Sequence, residues 1–208
     1  MASFIGKFVD DLKYGKPIVI VSGLPRSGTS LAMKMLDAGG LSQVVDGIRT
    51  ADEDNPRGYF EDERVKDLHK MSEKGWVREA RGKSLKVISF LLKDLPDSNR
   101  YKVVFMRRHL EEVLASQNKM LEHRGEKSET PDDQMRKIYE DHLQQVYGLL
   151  DRTPHFDVLY VDYTAVLEDP RGQAVRIRDF LGMPLDVEKM AGVADKTLYR
   201  NRAEKAGS

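Results

Sequence analysis

The stretch IVIVSGLPRSGTSLAM at residues 18–33 constrains the fold of this chain more than any other feature. The stretch begins with a continuous apolar run rich in β-branched residues, which stops at a glycine. Such an uninterrupted run is typical of a strand that is buried on both faces of a parallel sheet. The following turn carries an arginine, a second glycine and two hydroxyls, and an apolar stretch with helical spacing begins directly after it. Such a strand, turn and helix predict a loop that holds an anion with backbone N–H groups and the helix N-terminus.

Strand-like runs alternate with helical patterns along the rest of the chain. The predicted strands are 17–22, 84–88, 101–106 and 156–161. A helix is predicted over Thr29–Ala38, and apolar faces with helical spacing follow within 110–121, 135–149 and 174–181. This order predicts an α/β fold with right-handed crossovers: a three-layer, P-loop-like domain with a central, mostly parallel β-sheet flanked by helices. We expect a single domain over residues 1–208, with an N-terminal helix (3–13) and a tail (203–208) at its periphery.

Composition excludes several classes of function. Lys+Arg and Asp+Glu both number 34, so the formal net charge is zero and the basic excess of a nucleic-acid-binding protein is missing. The chain has no cysteine, which removes disulfides and thiolate chemistry, and its five histidines are scattered without ligand-like spacing, so we expect no metal. No signal peptide and no apolar run of membrane-spanning length is visible, which favours a cytoplasmic protein.

The anion loop departs from that of nucleoside triphosphatases. Gly23 and Gly28 have the G-x-x-x-x-G spacing, but Thr29 and Ser30 follow where a lysine and a hydroxyl residue would stand. The cation comes earlier, at Arg26, whose planar fork of donors suits phosphate or sulfate oxygens. The loop is therefore interpreted as an anion cradle that is not built around a magnesium-bound triphosphate.

The sequence S-G-x-P-R-S-G-T-S-L resembles the 5′-phosphosulfate loop of the sulfotransferase family, which uses PAPS (3′-phosphoadenosine 5′-phosphosulfate) as donor and releases PAP. The arginine is similar to that of the tyrosylprotein branch and of bacterial members with a P-R-S-G-T loop. The resemblance implies that Arg26, Ser27, Gly28, Thr29 and Ser30 bind the cofactor, and that Arg26 also acts in catalysis by offsetting charge on the leaving group.

A second motif has the order that the family requires. In V-V-F-M-R-R-H-L-E-E-V-L-A-S-Q, Arg108 and Ser116 have the spacing of the family's 3′-phosphate site, directly after a strand. Arg107 is the competing candidate, and the sequence leaves open which arginine points inward. The segments V-L-Y-V-D-Y-T-A-V-L-E-D-P and R-I-R-D-F-L-G-M-P also resemble the family's C-terminal part, in which Arg200 and Arg202 are further candidates for the 3′-phosphate.

The acceptor requires a base, and the family uses either a histidine or a carboxylate. The segment N-P-R-G-Y-F-E-D resembles one in bacterial relatives, which makes Glu61 the predicted catalytic base, with Asp62 and Asp54 as alternatives. His109 directly follows Arg108 and is interpreted as a helix-entry residue.

The resemblance implies a PAPS-dependent sulfotransferase that acts on a hydroxyl or amine of a small-molecule, carbohydrate or peptide acceptor. Two alternatives remain open at this point: a P-loop nucleotide or small-molecule kinase, and a non-catalytic nucleotide-binding module. Neither the acceptor nor the oligomeric state follows from the sequence, and we expect neither nucleic acid nor a membrane span as partner.

Overall fold

The computed structural model describes residues 13–46, 60–126 and 128–194. Several predictions fall outside these ranges: all but the last residue of the N-terminal helix, the alternative base Asp54, the candidate phosphate ligands Arg200 and Arg202, and the C-terminal tail.

Four parallel strands form the sheet in the described part of the chain. They are β1 (Ile18–Gly23), β2 (Ser84–Lys86), β3 (Tyr101–Arg107) and β4 (Phe156–Asp162), in the spatial order β2-β1-β3-β4. All six residues of β1 are buried, which agrees with its uninterrupted apolar sequence and its place between two neighbours. The four predicted strands are thus confirmed, with bounds shifted by one or two residues.

Six α-helices within the described ranges accompany the sheet: α1 (Thr29–Ala38), α2 (Leu110–His123), α3 (Asp132–Arg152), α4 (Tyr163–Glu168), α5 (Pro170–Leu181) and α6 (Val187–Gly192). Asp169 caps α5, because its carboxylate accepts from Gly172 N at 2.9 Å, and Pro170 takes the first helical position. The segment between α1 and β3 also contains three short 3₁₀ helices, Glu63–Asp67, Gly75–Ala80 and Ser89–Asp94, which the hydrophobic pattern did not predict.

Alternate residues of each strand point to opposite faces of the sheet, and each face has its own apolar core. Val19, Val21 and Val104 pack with helices α1, α4, α5 and α6 on one face. Ile20 and Phe105 pack with the 3₁₀ helices and α3 on the other. The predicted three-layer α/β architecture is therefore confirmed.

All four strands point the same way, so their carboxyl ends meet at one edge of the sheet. In open parallel sheets, ligands bind in the crevice outside this edge. The loop after β1, the end of β2 and the segment after β3 all lie there. No helix in the described ranges is long and apolar enough to cross a membrane.

Candidate functional site

The loop between β1 and α1 has an unusual backbone that its sequence makes possible. Arg26 has φ 67° and Gly28 has φ 100°, so two residues of the loop adopt the left-handed region. Ser27 N donates to Leu24 O at 3.2 Å, which closes a turn inside the loop. Alternating right- and left-handed residues aim successive N–H groups into one concavity, and α1 adds its N-terminus from Thr29. This geometry is that of an anion cradle.

Glycine is needed at position 28 for two reasons. Its φ of 100° is one that residues with a Cβ rarely adopt, and a Cβ there would lie 2.5 Å from Cδ2 of Tyr163. Tyr163, the first residue of α4, is itself buried, and burial raises the pKa of its hydroxyl. The tyrosine ring therefore packs directly against the loop backbone and fixes its position.

Of the two adjacent arginines at the carboxyl end of β3, Arg108 faces the loop. Its side chain is 7% exposed; Nε donates to Glu112 Oε2 at 2.8 Å and a terminal nitrogen to Arg26 O at 3.2 Å. Its guanidinium also lies 4.5 Å from the centroid of the Tyr163 ring.

Arg107 points the other way. It makes a two-pronged ion pair with Asp162 at 3.0 Å for each prong, with both side chains about half exposed. The hydrogen bond from Asp162 raises the pKa of Arg107, whose charge is therefore already satisfied on the protein surface. Of the two arginines between which the sequence could not decide, Arg108 is therefore the one that points inward.

The structure brings the two predicted anion sites into direct contact. Arg26 Nε donates to Ser116 Oγ at 3.0 Å, and Arg108 bonds to the carbonyl of Arg26. Arg26 belongs to the first predicted site and both Ser116 and Arg108 to the second, so residues of the two predicted sites are in direct contact. Two guanidinium groups and a hydroxyl thus converge at the carboxyl edge.

A lysine that the sequence analysis did not single out completes the cationic group. Lys86, the last residue of β2, is 8% exposed; its Nζ donates to Ser30 Oγ at 3.2 Å and to Glu61 Oε1 at 3.0 Å. The strand end thus supplies the ammonium that the loop lacks after its second glycine. The sequence does contain a signal for Lys86, because this lysine interrupts the strand-like run SLKVI. A buried charge in such a strand is costly unless it is paired, so the lysine indicates a partner.

The remaining predicted residues take different positions. The Ser27 side chain is 1% exposed, and its hydroxyl has no hydrogen-bond partner among the described residues. It lies against Gly23, where a Cβ would collide with it. Thr29 is 7% exposed at the start of α1, and Ser30 faces Lys86.

The carboxylate candidates separate clearly. Glu61 contacts Lys86, whereas Asp62 is 3% exposed and is bound by the backbone and side chain of Arg64 at 2.8–3.3 Å. Asp62 therefore serves a structural purpose at the start of the 3₁₀ helix Glu63–Asp67. His109 precedes α2 as its N-terminal boundary residue and is exposed.

The geometry defines a class: an α/β protein whose glycine-bearing loop lies beside strand-end cations at the carboxyl edge of a parallel sheet, an arrangement that suits an anionic ligand. The family follows from comparison of the sequence with family models, in which the sulfotransferase domain matches residues 16–205. The chain belongs to the sulfotransferase domain family. A comparison with curated proteins found no match.

Solved structures with the same fold are also sulfotransferases. The sulfotransferase domain of the olefin synthase from Synechococcus PCC 7002 has 18% identity and a TM-score of 0.51, over 91% of this chain and 84% of that one. A sulfotransferase domain of the curacin biosynthetic pathway has 16% identity and a TM-score of 0.51, over 84% and 76%. Mouse sulfotransferase SULT7A1, complexed with PAP, has 15% identity and a TM-score of 0.51, over 86% and 62%.

Proposed function

We propose that this sulfotransferase transfers the sulfuryl group of PAPS to a hydroxyl or amine of its acceptor. One observation carries the proposal: Arg26 donates to Ser116 while Arg108 bonds to the Arg26 carbonyl, so that the residues assigned to the two predicted anion sites are in direct contact. A donor with phosphate groups at both its 3′ and 5′ ends matches such a pair. The PAP complex of the mouse relative supports the same donor.

The two ends of the nucleotide are assigned to different residues. The loop N–H groups from residues 26–30, together with Arg26 and Lys86, would hold the 5′-phosphosulfate. Arg108 and Ser116 would hold the 3′-phosphate. The backbone at residue 28 suits a bound anion, since Tyr163 fills the space that a Cβ would occupy and holds the loop in place. Arg200 and Arg202 stay predicted further ligands of the 3′-phosphate.

The reaction depends on stabilisation of developing charge, and it requires no covalent intermediate with the protein. A bond forms between the acceptor oxygen or nitrogen and sulfur, and the bond between sulfur and the 5′-phosphate oxygen breaks, leaving PAP. Negative charge develops on that bridging oxygen. Arg26, which is held by Ser116, and Lys86, which is held by Ser30, would offset this charge from fixed positions.

Glu61 is the proposed base that takes the proton from the acceptor. Its side chain is 20% exposed, so it keeps contact with solvent, and its Oε1 lies 3.0 Å from Lys86 Nζ. This contact supports Glu61 as the base, because Lys86 is the cation assigned to the sulfuryl end, where the acceptor would attack. The acceptor proton would move to Glu61 as the new bond to sulfur forms.

Ligand-dependent melting tests the donor assignment. PAP without added magnesium is expected to raise the melting temperature, because ligand that binds only the folded state stabilises it. Arg26→Ala should abolish this rise and transfer as well, whereas the control Arg78→Ala, at an exposed site, should preserve both. A kinase would instead respond to ATP with Mg²⁺ and ignore PAP.

Three outcomes contradict the proposal in different ways. If neither nucleotide shifts the melting temperature at millimolar concentration, the nucleotide assignment is wrong. If only ATP with Mg²⁺ does so, the kinase alternative stands. If PAP binds but labelled PAPS gives no transfer across a broad panel of alcohols, phenols and amines, the chain is a non-catalytic binder.

A further inference from the structure

A buried carboxylate lies beside the residues of the proposed 3′-phosphate site, and the reaction described above gives it no role. Glu112 belongs to the first turn of α2 and is 2% exposed. Its Oε2 accepts a hydrogen bond from Arg108 Nε at 2.8 Å, four residues earlier in the chain. A carboxylate repels a phosphate, so its charge alone would weaken the binding of an anion there. Glu112 must therefore contribute something other than charge to such a site.

Three contacts hold the guanidinium of Arg108 in one orientation. Glu112 accepts from its Nε, the carbonyl of Arg26 accepts from a terminal nitrogen at 3.2 Å, and the centroid of the Tyr163 ring lies 4.5 Å away. Because a guanidinium is planar, bonds at Nε and at a terminal nitrogen fix both its plane and the direction of its fork. Of the two bonds, the one to Glu112 joins opposite charges and is the stronger.

Glu112 and Ser116 share one face of α2, because they are four residues apart on the same helix. Ser116 therefore lies about one turn, or about 6 Å, further along the helix axis. Glu112 holds Arg108 at the first of these positions, and Ser116 accepts from Arg26 Nε at the second, at 3.0 Å. A single rigid helix thus sets the position of Arg108 relative to Ser116, the two residues assigned to the 3′-phosphate.

Stability alone gives a weak reason for the pair of Glu112 and Arg108. Their side chains are 2% and 7% exposed, so both charges are removed from water. The desolvation penalty of a buried ion pair offsets much or all of the attraction between its charges. A guanidinium that is already held in place, however, loses less conformational freedom when a phosphate binds to it, which favours binding.

We propose that Glu112 is a positioning residue, which holds Arg108 in the orientation that selects nucleotides with a 3′-phosphate. The inference rests on the proposed function and adds to it a residue that determines specificity. Without Glu112, Arg108 keeps its charge, but its fork is no longer aimed. Because Glu112 acts through Arg108, its loss should affect PAP, and it should spare adenosine 5′-monophosphate (AMP), which has the 5′-phosphate of PAP and no 3′-phosphate.

Isothermal titration calorimetry of the full chain with PAP and with AMP tests the inference without requiring turnover. Glu112→Ala is expected to raise the Kd for PAP about tenfold and to change that for AMP less than about twofold. Glu112→Gln should restore most of the affinity for PAP, because its amide oxygen can still accept from Arg108 Nε. Glu111→Ala is the control: this neighbouring side chain is 53% exposed and pairs with Arg136, so both Kd values should stay unchanged.

A double variant tests the same role with PAP alone. In an Arg108→Met background, Glu112→Ala should cause no further rise in the Kd for PAP, because the group that Glu112 positions has already been removed. A further tenfold rise in that background would show that Glu112 acts independently of Arg108 and would overturn the inference.

The remaining outcomes separate this inference from the proposed function. Unchanged affinity of Glu112→Ala for PAP, or equal losses for PAP and AMP, would overturn the positioning role, the second because a purely structural residue weakens both ligands alike. Failure of PAP to bind the wild-type chain would instead overturn the proposed function, on which the role of Glu112 depends.

Discussion

At the scale of single residues, adjacent arginines have opposite surroundings because a strand sends successive side chains to opposite sides. Arg107, the last residue of β3, pairs in register with Asp162 at the end of β4 and bonds to it on the surface. Arg108 turns back into the site and is enclosed by Glu112, Tyr163 and the Arg26 carbonyl. Two residues of the same type therefore provide a matched pair of variants.

Arg108→Lys is expected to raise the Kd for PAP by about ten- to a hundredfold, because the ammonium keeps the charge but loses the planar fork. Arg107→Lys is the control and should change the Kd less than about threefold, since exposed ion pairs contribute about 0–1 kcal/mol. Titration calorimetry measures both. Similar losses in the two variants would contradict the assignment of Arg108 to the 3′-phosphate.

Glu61→Gln is expected to keep PAP binding and to lower kcat by about 10² to 10⁴, the usual contribution of a positioned base. Glu63→Gln is its control, because Glu63 lies two residues away and its carboxylate pairs with the exposed Lys66 on the protein surface. Steady-state assays with labelled PAPS measure the difference. Undiminished turnover in Glu61→Gln would remove Glu61 from the mechanism.

Lys86→Met is expected to lower kcat by about 10² to 10³, in the range found when one group that stabilises transition-state charge is removed. The variant keeps the length of the side chain but deletes its ammonium. Lys83→Met, at an exposed position just before β2, deletes the same charge away from the site. Equal rates in the two variants would show that Lys86 supports the fold alone.

At the scale of elements, the connection from β1 to α1 depends on the packing of Tyr163 against residue 28. Gly28→Ala is expected to destabilise the protein by about 2–4 kcal/mol, since a strained φ and a collision with a buried ring add together. Gly40→Ala is a close control: its φ is 94°, but nothing lies within 4 Å of the added Cβ, so only the strain remains, at about 1 kcal/mol. Urea unfolding measures the free energy of unfolding of both variants. Equal losses of stability would mean that Tyr163 moves aside without an energetic penalty.

The first strand, the first helix and the loop between them show how much of the fold the local sequence predicts. The buried run at 18–21 and the helix Thr29–Ala38 follow from hydrophobic pattern and turn residues, so β1, α1 and the loop between them were predicted closely. The resemblance to the family singled out Arg26, Arg108 and Ser116, and the structure brings these three residues together; their roles in binding stay predictions. Lys86 was missed because β2 has three residues, too few for a pattern, and because its partners Ser30 and Glu61 come from distant parts of the chain.

The contribution of Tyr163 was missed for a related reason. Its contacts with Gly28 and Arg108 depend on how α4 sits over the end of the sheet, which the periodicity of a six-residue helix does not reveal. Tertiary packing determines these contacts of Tyr163, because only the assembled sheet brings the three residues together.

At the scale of the whole molecule, two histidines couple stability to pH. Burial lowers the pKa values of His142 and His155 in the folded protein, and nearby Arg100 lowers that of His155 further while Asp97 opposes the shift. The unfolded chain then binds protons more readily than the folded one. The free energy of unfolding is therefore expected to be highest above the ordinary histidine pKa of about 6.5 and to fall as the pH drops through it.

Urea unfolding at pH 7.5 and pH 5.5 measures this loss of stability. His142→Gln should make the dependence on pH shallower, whereas the control His69→Gln, at an exposed residue, should leave it as in the wild type. A dependence that is unchanged by His142→Gln would show that other groups determine the acid sensitivity.

The all-parallel sheet has a consequence for the speed of folding. Ile18 pairs with Tyr101 and Val19 with Ser84, so β1 meets its neighbours only after long stretches of chain have been brought back to it. No pair of strands in the described sheet is a hairpin that could form early from local contacts. The entropy of closing these long stretches is lost before strand pairing can stabilise the sheet. Stopped-flow refolding is therefore expected to be slow for a chain of this size, in the range of milliseconds to seconds.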